Sequence, residues 1–350
     1  MKALRLSSPG NLEIKKNIPK PRVGPNSILL KVHYCGICSS DIKFIDKAHR
    51  VKKYPLTLGH EIAGTIAQIG KNIKNYKIDD KIVLGAEIPC NRCFYCKTNR
   101  NDFCEKQTSV GTIIDGGFAE YFLLNSNFIK NGPIIKLLKN ADLSLAFLSE
   151  SVACVLNGIE ISKKNNFHSV LILGCGYMGL VFGYIFSKLY KKTNTVIVDN
   201  NIERLSIAKK NGIKNALEIN FKNKNIYKKI INKNNNYKFD FVISANNNLI
   251  SHKMALDFVS RGGCVNFFGG IPKNINDKLN ISANKIHYDQ INITGSFSSN
   301  KIQLNKAYKF IINNETFFRS ILSKPVAISK AIEYFNLVRT NKVIKAAIKF

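Results

Sequence analysis

An apolar run broken by glycines is the feature that most constrains how this chain can fold. The run SVLILGCGYMGLVFGYIF covers residues 169–186 and holds no charged side chain. Its length approaches that of a membrane span. The glycines at 174, 176 and 179 instead predict a buried strand, a tight turn and a helix. Strand and helix patterns alternate from there to about residue 269, which predicts a parallel sheet covered by helices on both faces.

The pattern G-x-G-x-x-G gains its meaning from this context. It lies between a predicted strand and a predicted helix, and Asp199 ends the next predicted strand 20 residues after Gly179. Such glycines bring a backbone turn close to a pyrophosphate, while a carboxylate at 199 binds ribose hydroxyls and repels a 2′-phosphate. The motif therefore predicts NAD rather than NADP, and the alternative is a glycine turn with no ligand. The predicted cofactor-binding residues are Gly174, Gly176, Tyr177, Met178, Gly179, Asp199 and Arg204.

Four cysteines lie close together in PCNRCFYCKTNRNDFC, residues 89–104. Their spacing, C-x2-C-x2-C-x7-C, fits a closed tetrahedral zinc site of structural type. The ligands are Cys90, Cys93, Cys96 and Cys104. A zinc finger on nucleic acid would need a helix with base contacts after them. Residues 109–124 predict turn and strand instead, which favours a metal-stapled lobe at about 88–106.

A second constellation is spread over three segments. CGICSSD contains Cys35, Cys38 and Asp41, GHE contains His60 and Glu61, and LSESVACVLNG contains Glu150. Taken singly, a histidine or glutamate of this kind is more often structural than a ligand. Together they offer a thiolate, an imidazole and carboxylates, the donor set of a catalytic zinc that keeps a position open for substrate.

The overall charge is unusual, because 53 lysines and arginines face 23 acidic residues and give a formal charge of +30. An excess of this kind can indicate affinity for nucleic acid. Lysine, asparagine and isoleucine recur throughout, as in KNKNIYKKIINKNNNYK (222–238). This recurrence favours drift in amino-acid composition over a site for a polyanion as the source of the charge. The run at 222–238 itself predicts a solvated helix and loop. The sequence shows no signal peptide, and clustered cysteines fit metal binding in a reducing compartment, so we expect a cytoplasmic location.

The remaining segments predict further strands and helices. Residues 1–150 predict short strands at 27–35, 61–70 and 80–85, with the N-terminal segment as an edge strand. Helices are expected at 201–213 and 250–261 and a last sheet strand at 291–297. The tail predicts two amphipathic helices and a final strand.

In their order along the chain, these motifs resemble the zinc-containing medium-chain dehydrogenases, over essentially the whole sequence. The acidic residue at 150 looks like the polyol, threonine and scyllo-inosamine dehydrogenase branch, since alcohol dehydrogenases proper tend to have Cys there. The resemblance implies an α/β architecture: a GroES-like β-rich catalytic domain from residues 1–150 and 291–350, with a doubly wound Rossmann domain over 151–290. It also implies a homodimer or homotetramer.

The resemblance further implies the roles of the site residues. It makes Cys38 and His60 ligands of the catalytic zinc and leaves open whether Glu61 or Glu150 binds it directly. It places Ser40 in a proton relay and Asp41 behind a ligand. Lys43 stands where many relatives have a histidine that ends this relay, so the relay's outer end stays open. The implied reaction moves a hydride between NAD and a secondary alcohol such as a polyol, sugar or cyclitol.

Two other functions compete with this interpretation. A nucleic-acid-binding protein would use the basic charge and the cysteine lobe, and its binding would depend steeply on salt. A dehydrogenase fold without activity would lack part of the ligand set. The presence of Cys38, His60 and Glu150 together with Asp199 favours the zinc- and NAD-dependent enzyme, with one catalytic and one structural zinc, a small-molecule alcohol as partner, and neither nucleic acid nor membrane.

Overall fold

The computed structural model describes residues 1–47, 50–163, 166–220, 225–272 and 276–350. The chain divides into two compact units. The first contains Met1–Cys154 and Ser298–Phe350, and the second contains Val155–Phe297. The divisions expected after residues 150 and 290 lie a few residues from these boundaries.

The first unit is built mainly from short strands with a few helices between them. Its strands are β1 (Ala3–Ser8), β2 (Asn11–Lys15), β3 (Ile28–Ile37), β4 (Leu56–Thr57), β5 (Glu61–Ile69), β6 (Lys81–Leu84), β7 (Glu87–Ile88), β8 (Thr108–Ser109), β9 (Tyr121–Leu124), β10 (Ile134–Lys136), β17 (Val326–Ala327) and β18 (Ala346–Lys349). Its helices are α1 (Ser39–Lys47), α2 (Phe94–Lys97), α3 (Ser126–Asn131), α4 (Leu143–Ala146), α5 (Ser149–Glu160, which runs across the division), α11 (Lys301–Ile312), α12 (Glu315–Ile321) and α13 (Ala331–Arg339).

One sheet of this unit carries the candidate site. Its strand order is β10-β6-β5-β3-β18-β17, and β9 also pairs with β3. The tail strand β18 lies antiparallel to β3, with Ile348 opposite Cys35, so the C-terminal segment completes a sheet that the first 150 residues begin. Buried Leu, Ile, Val and Phe side chains from these strands form the core beneath it.

The N-terminal strand is not at an edge, contrary to the prediction. β1 lies between β2 and β4 in a separate three-stranded sheet. Ala3, Leu4 and Leu6 are fully buried there. The polar start that suggested an edge, at Lys2, precedes the strand, and Gly10, with a positive φ of 78°, then turns the chain into β2.

The second unit alternates strands and helices in the described part of the chain. Its strands are β11 (Ser169–Leu173), β12 (Asn194–Asp199), β13 (Asn215–Glu218), β14 (Phe239–Ser244), β15 (Val259–Phe267) and β16 (Asn292–Gly295). Its helices are α6 (Tyr177–Leu189), α7 (Ile202–Lys210), α8 (Ile226–Asn232), α9 (Leu249–Phe258) and α10 (Ala283–Asp289).

These six strands form one parallel sheet in the order β13-β12-β11-β14-β15-β16. The chain moves outward from β11 in one direction and then, beginning with β14, in the other. This is the doubly wound order, and ligands of such sheets bind at the carboxyl ends of the strands where the order reverses. The predicted fold class, a doubly wound sheet plus a β-rich unit, is confirmed.

Two local predictions need correction. The helix expected at 250–261 ends at Phe258, because the β-branched Val259 begins β15 and Gly262 and Gly263 follow it. The tail has three helices rather than two in its described residues. The Asn313–Asn314 pair separates α11 from α12.

The run at 169–186 forms β11, the glycine turn and most of α6, as predicted. None of the helices in the described ranges has the length and apolar character that crossing a bilayer requires. Within the run at 222–238, residues 222–224 lie outside the described residues. Helix α8, farther along this run, buries Ile230 and Ile231, so it is less solvated than expected.

Candidate active site and metal centres

A thiolate, an imidazole and a carboxylate meet at the ends of two neighbouring strands. Cys38 follows β3, whereas His60 and Glu61 stand where β5 begins. The two strands pair antiparallel with Gly36 opposite Glu61, which brings the three residues together. One donor atom from each of Cys38, His60 and Glu61 lies within 4.8 Å of the other two. The structure therefore assembles three of the predicted ligands.

Gly36 makes room for the Glu61 side chain. A Cβ atom at position 36 would lie 2.0 Å from Glu61 Oε2 and 2.9 Å from the ring of Phe147. Any larger residue would push the carboxylate away from Cys38 and His60. The glycine in CGICSSD is thus a packing requirement of the cluster.

Asp41 orients the imidazole of His60. Its Oδ1 lies 3.4 Å from His60 Nδ1, and its Oδ2 accepts a hydrogen bond of 2.9 Å from the backbone N–H of Cys38. The opposite nitrogen, Nε2, lies 3.4 Å from Ser40 Oγ. Burial alone would lower the pKa of His60, but the Asp41 carboxylate and the Cys38 thiolate raise that pKa well above its usual value. Asp41 thus attracts one ring nitrogen of His60 electrostatically, and Ser40 lies beside the other.

Lys345 is a member of this site that the sequence analysis missed. Its Nζ donates to Glu61 Oε1 at 2.5 Å and to the carbonyl oxygen of Ile37 at 3.3 Å. The lysine side chain is 3% exposed and that of Glu61 is fully buried. Lys345 precedes β18, and its only signal in the sequence was a cation beside a run of small apolar strand residues. It holds one oxygen of Glu61 and neutralises its charge.

Glu150 lies in the first turn of α5 and is buried, but it does not belong to the set of three mutually close ligands. Burial raises its pKa to about 7, the charge of His60 opposes this rise, and Glu61 adds to it. Its Oε1 accepts a weak hydrogen bond from Cys154 Sγ at 3.7 Å. Glu150 is therefore a neighbour of the cluster, within range of its charges.

Lys43 is half-buried on α1. Burial lowers the pKa of its ammonium group, and the Cys38 thiolate opposes that shift. A lysine with a lowered pKa is the kind that can exchange protons.

The cluster of three has the chemistry of a zinc site. Sulfur, imidazole nitrogen and carboxylate oxygen are the donors that zinc binds in proteins. Glu61 Oε2 is buried and has no hydrogen-bond partner. A buried carboxylate oxygen normally has one, so a cation beside it would supply the missing interaction. The residues present thus fit a metal ion.

The four-cysteine lobe brings its predicted ligands together. The sulfur atoms of Cys90, Cys93, Cys96 and Cys104 all lie within 4.8 Å of one another, and all four cysteines are free thiols. The backbone N–H of Arg92 lowers the pKa of Cys90 to about 6, so this sulfur is readily ionised for metal binding. These features fit a tetrahedral zinc. A DNA-reading finger would require a helix after the four cysteines. Here β8, turns and β9 follow the lobe, and no helix occurs between Cys104 and β9.

The glycine turn has the predicted form. Gly174 has a φ of +109°, and Gly176 precedes α6, whose N-terminus is the kind of site that binds an anion. A Cβ at Gly179 would lie 1.9 Å from the carbonyl oxygen of Gly174. Only glycine therefore permits this close packing of helix and turn.

Asp199 lies beside this turn at the end of β12. Its Oδ2 accepts a hydrogen bond of 2.6 Å from the backbone N–H of Cys175, and its Oδ1 accepts one of 2.8 Å from Asn201. Arg204 on α7 lies nearby, with a guanidinium nitrogen 3.8 Å from a Cβ built at Gly176. Tyr177 and Met178 form the start of α6. The turn thus fits a dinucleotide.

Comparisons with known proteins agree with this geometry. Residues 24–133 match the family model described as the alcohol dehydrogenase GroES-like domain, and residues 186–313 match the one described as zinc-binding dehydrogenase. D-arabinitol dehydrogenase 1 of Uromyces fabae is 29% identical over 85% of this chain and 82% of its own length. L-threonine 3-dehydrogenase of Cronobacter sakazakii is 26% identical over 85% and 84%.

A solved structure has the same fold. A zinc-binding dehydrogenase from Sinorhizobium meliloti, crystallised with NADP, superposes with a TM-score of 0.86 over 100% of this chain and 99% of its own, at 24% identity.

The fold and the site together define a zinc-type dehydrogenase. The two family models between them cover more than half of the sequence, and the relatives match most of its length. The chain belongs to the zinc-containing medium-chain dehydrogenases of the alcohol dehydrogenase superfamily. It is an oxidoreductase that acts on alcohols.

Proposed function

We propose that the chain oxidises a secondary alcohol with NAD, using one catalytic and one structural zinc. The observation that carries this proposal is the mutual proximity of Cys38, His60 and Glu61 beside the buried Lys345. Cys38, His60 and Glu61 would hold a zinc ion, which would supply polarisation of the substrate hydroxyl, and the glycine turn at 174–179 would hold a nicotinamide cofactor, which would supply the hydride acceptor. The test is formation of reduced nicotinamide by the purified protein with a panel of polyols and L-threonine. If no alcohol of the panel produced reduced nicotinamide with either NAD or NADP, the proposal would be contradicted.

The chain's own groups divide the work around the reacting hydroxyl. Asp41 fixes the tautomer of His60 through Nδ1, as partners of metal-bound histidines commonly do. Ser40 Oγ, 3.4 Å from His60 Nε2, receives the hydroxyl proton and passes it outward. Glu150, with its pKa near 7, can hold a proton close to the cluster at neutral pH. Lys345 keeps Glu61 in place.

We place the substrate among polyols, sugars and cyclitols. Three observations support this class. One relative is a D-arabinitol dehydrogenase, and Glu150 stands where this chain's resemblance implies the polyol branch. Buried carboxyl groups such as Glu61 and Glu150 surround the site. L-threonine is the second candidate, favoured by the similarity to L-threonine 3-dehydrogenase.

Replacing Cys96 with serine should remove the structural zinc alone. Cys96 and Cys104 are the two buried cysteines of the lobe. Three thiolates bind zinc far less tightly than four. We expect elemental mass spectrometry to find about two zinc ions per unmodified chain and about one in Cys96→Ser. Cys264→Ser, a buried cysteine outside both clusters, should keep both ions. An unchanged zinc content in Cys96→Ser would contradict the lobe assignment.

Replacing Asp199 with glycine should weaken the preference for NAD over NADP. Its carboxylate lies where the adenosine ribose of a bound dinucleotide would be, and its charge repels a 2′-phosphate. We expect the ratio of kcat/KM for NAD to that for NADP to fall by roughly 100-fold, which corresponds to about 3 kcal/mol. Asp240→Asn, at the opposite end of the same sheet, serves as the control. An unchanged ratio would show that Asp199 does not select the cofactor.

A further inference from the structure

Four polar side chains lie together in the second unit, at the carboxyl ends of β14 and β15. Ser244 is fully buried at the end of β14, and Ser251 and His252, on α9, are each 5% exposed. Asn246, which follows β14, is half-buried. Buried polar groups are normally hydrogen bonded, and each of these four has a partner.

His252 has a partner at each ring nitrogen. Its Nε2 lies 2.9 Å from the carbonyl oxygen of Gly269, and its Nδ1 lies 2.7 Å from Ser244 Oγ. A carbonyl oxygen only accepts, so Nε2 carries the hydrogen and Nδ1 accepts from the Ser244 hydroxyl. Burial lowers the pKa of His252, which favours this neutral form. The ring also stacks on Phe267, with 4.7 Å between the centroids, so both its tautomer and its orientation are fixed.

The backbone at Gly269 is held from both sides. Its N–H donates to the carbonyl oxygen of Ser244 at 3.1 Å, and its own carbonyl accepts from His252. A Cβ at this position would lie 1.8 Å from the carbonyl oxygen of Asn246, so only glycine fits there. Because a peptide is planar, fixing the Gly269 carbonyl also fixes the N–H of Gly270. His252 thus sets the direction of the Gly269–Gly270 peptide at the edge of the sheet.

Asn246 connects this peptide to the glycine turn. Its Nδ2 donates to the carbonyl oxygen of Leu173 at 2.9 Å and to Ser251 Oγ at 2.8 Å. Leu173 is the last residue of β11, directly before the turn. Ser251 Oγ in turn lies 3.2 Å from Ser244 Oγ. Hydrogen bonds therefore run without a break from the strand before the glycine turn to Gly269.

The strand order indicates which part of a dinucleotide would lie beside this peptide. The sheet binds its dinucleotide across the point where the strand order reverses, between β11 and β14. Asp199 ends β12 and the glycine turn follows β11, so the adenosine ribose and the pyrophosphate belong to these two strands. The nicotinamide half would therefore lie over the ends of β14 and β15, where Gly269 is half-buried.

We infer that His252 is a positioning residue for the nicotinamide half of the cofactor. By holding the Gly269–Gly270 peptide in one direction, it gives the nicotinamide ring a fixed backbone surface, and it acts without touching the cofactor itself. The inference rests on the proposed function, because it requires a nicotinamide cofactor at this sheet. A histidine that only stabilised the fold would affect all parts of the cofactor alike.

The test compares the binding of NADH with that of ADP-ribose, which lacks the nicotinamide ring, by calorimetric titration. We expect His252→Leu to weaken NADH binding by about 5- to 10-fold, the loss of one hydrogen bond, and to leave ADP-ribose within about 2-fold. In His252→Gln the amide can still donate to the Gly269 carbonyl, so NADH affinity should stay within about 3-fold. The control is His168→Leu, an exposed histidine before β11 at the amino end of the sheet, which should change neither affinity.

ADP-ribose binding also shows that each variant is folded around its glycine turn. Equal losses on the two ligands in His252→Leu, or none on NADH, would overturn the inference while leaving the dehydrogenase intact. A loss in His252→Gln as large as that in His252→Leu would show that the hydrogen bond to Gly269 is not responsible. If the unmodified protein oxidises no alcohol but the variants show the unequal losses, the proposed function fails and the role of His252 stands. If it binds neither ligand, both fail.

Discussion

The Cys38→Ser variant is expected to lose alcohol oxidation while keeping its fold. Serine is a poor zinc ligand because its hydroxyl does not ionise near neutral pH, and polarisation of the substrate by the metal contributes several kcal/mol. We therefore expect kcat/KM to fall by at least about 1,000-fold, equivalent to about 4 kcal/mol. The measurement is kcat/KM on the best alcohol found, together with zinc content per chain.

The matched control for this prediction is Cys264→Ser. Cys264 is buried in β15, and Thr294 Oγ1 and the Val265 carbonyl lie near its sulfur, so a serine there finds partners. This variant should retain activity and both metals. Far-ultraviolet circular dichroism should match the unmodified protein in both variants. Full activity in Cys38→Ser would mean that Cys38 is not a ligand of the catalytic metal.

The second large effect is expected at Lys345. Methionine there keeps most of the side-chain volume but leaves the buried Glu61 carboxylate without its cation. Breaking a buried ion pair from one side typically costs about 3–5 kcal/mol. We expect the Lys345→Met variant to lose about this much in its free energy of unfolding, in the urea transition of the unit that contains β3, β5 and β18.

The companion variants test whether the pair itself is responsible. Lys349→Met changes an exposed lysine on the same strand and should cost little. The double variant Glu61→Gln/Lys345→Met should lose less stability than the two single variants added together, since no unpaired charge remains. Additive losses would show that Lys345 stabilises the unit through packing rather than through Glu61.

Much of the second unit could be predicted from local sequence alone. Most of its strands are short apolar runs, although β13 (NALE) is not, and several of its turns carry glycine or asparagine. A parallel sheet follows from the alternation of strands and helices. The glycine turn was predictable because two of its glycines are required sterically: Gly174 has a positive φ of 109°, and a Cβ at Gly179 would lie 1.9 Å from the Gly174 carbonyl oxygen. The helix end was placed at 261 rather than 258 because the predicted strand began at Gly263, and no residue before it marked the start of β15 at Val259.

The active site was predictable only in part. Cys38, His60 and Glu61 lie at the ends of two strands that pair, so motifs close in sequence become close in space. Lys345 is 284 residues away from Glu61. Its proximity depends on the pairing of β18 with β3, and a short strand with few polar neighbours does not specify its partner in sequence. Likewise, nothing in the sequence placed Glu150 outside the close set, because its distance depends on the orientation of α5.

The pairing of β18 with β3 has a consequence for biosynthesis. A ribosome makes Cys38, His60 and Glu61 early, but it makes Lys345 only after the entire second unit has emerged. Until then the cluster lacks both the strand that borders it and the cation that neutralises Glu61. Domains usually fold in the order in which they emerge, but here the second unit can fold before the first is complete. Zinc would then be acquired late, by a chain whose nucleotide-binding half is already formed.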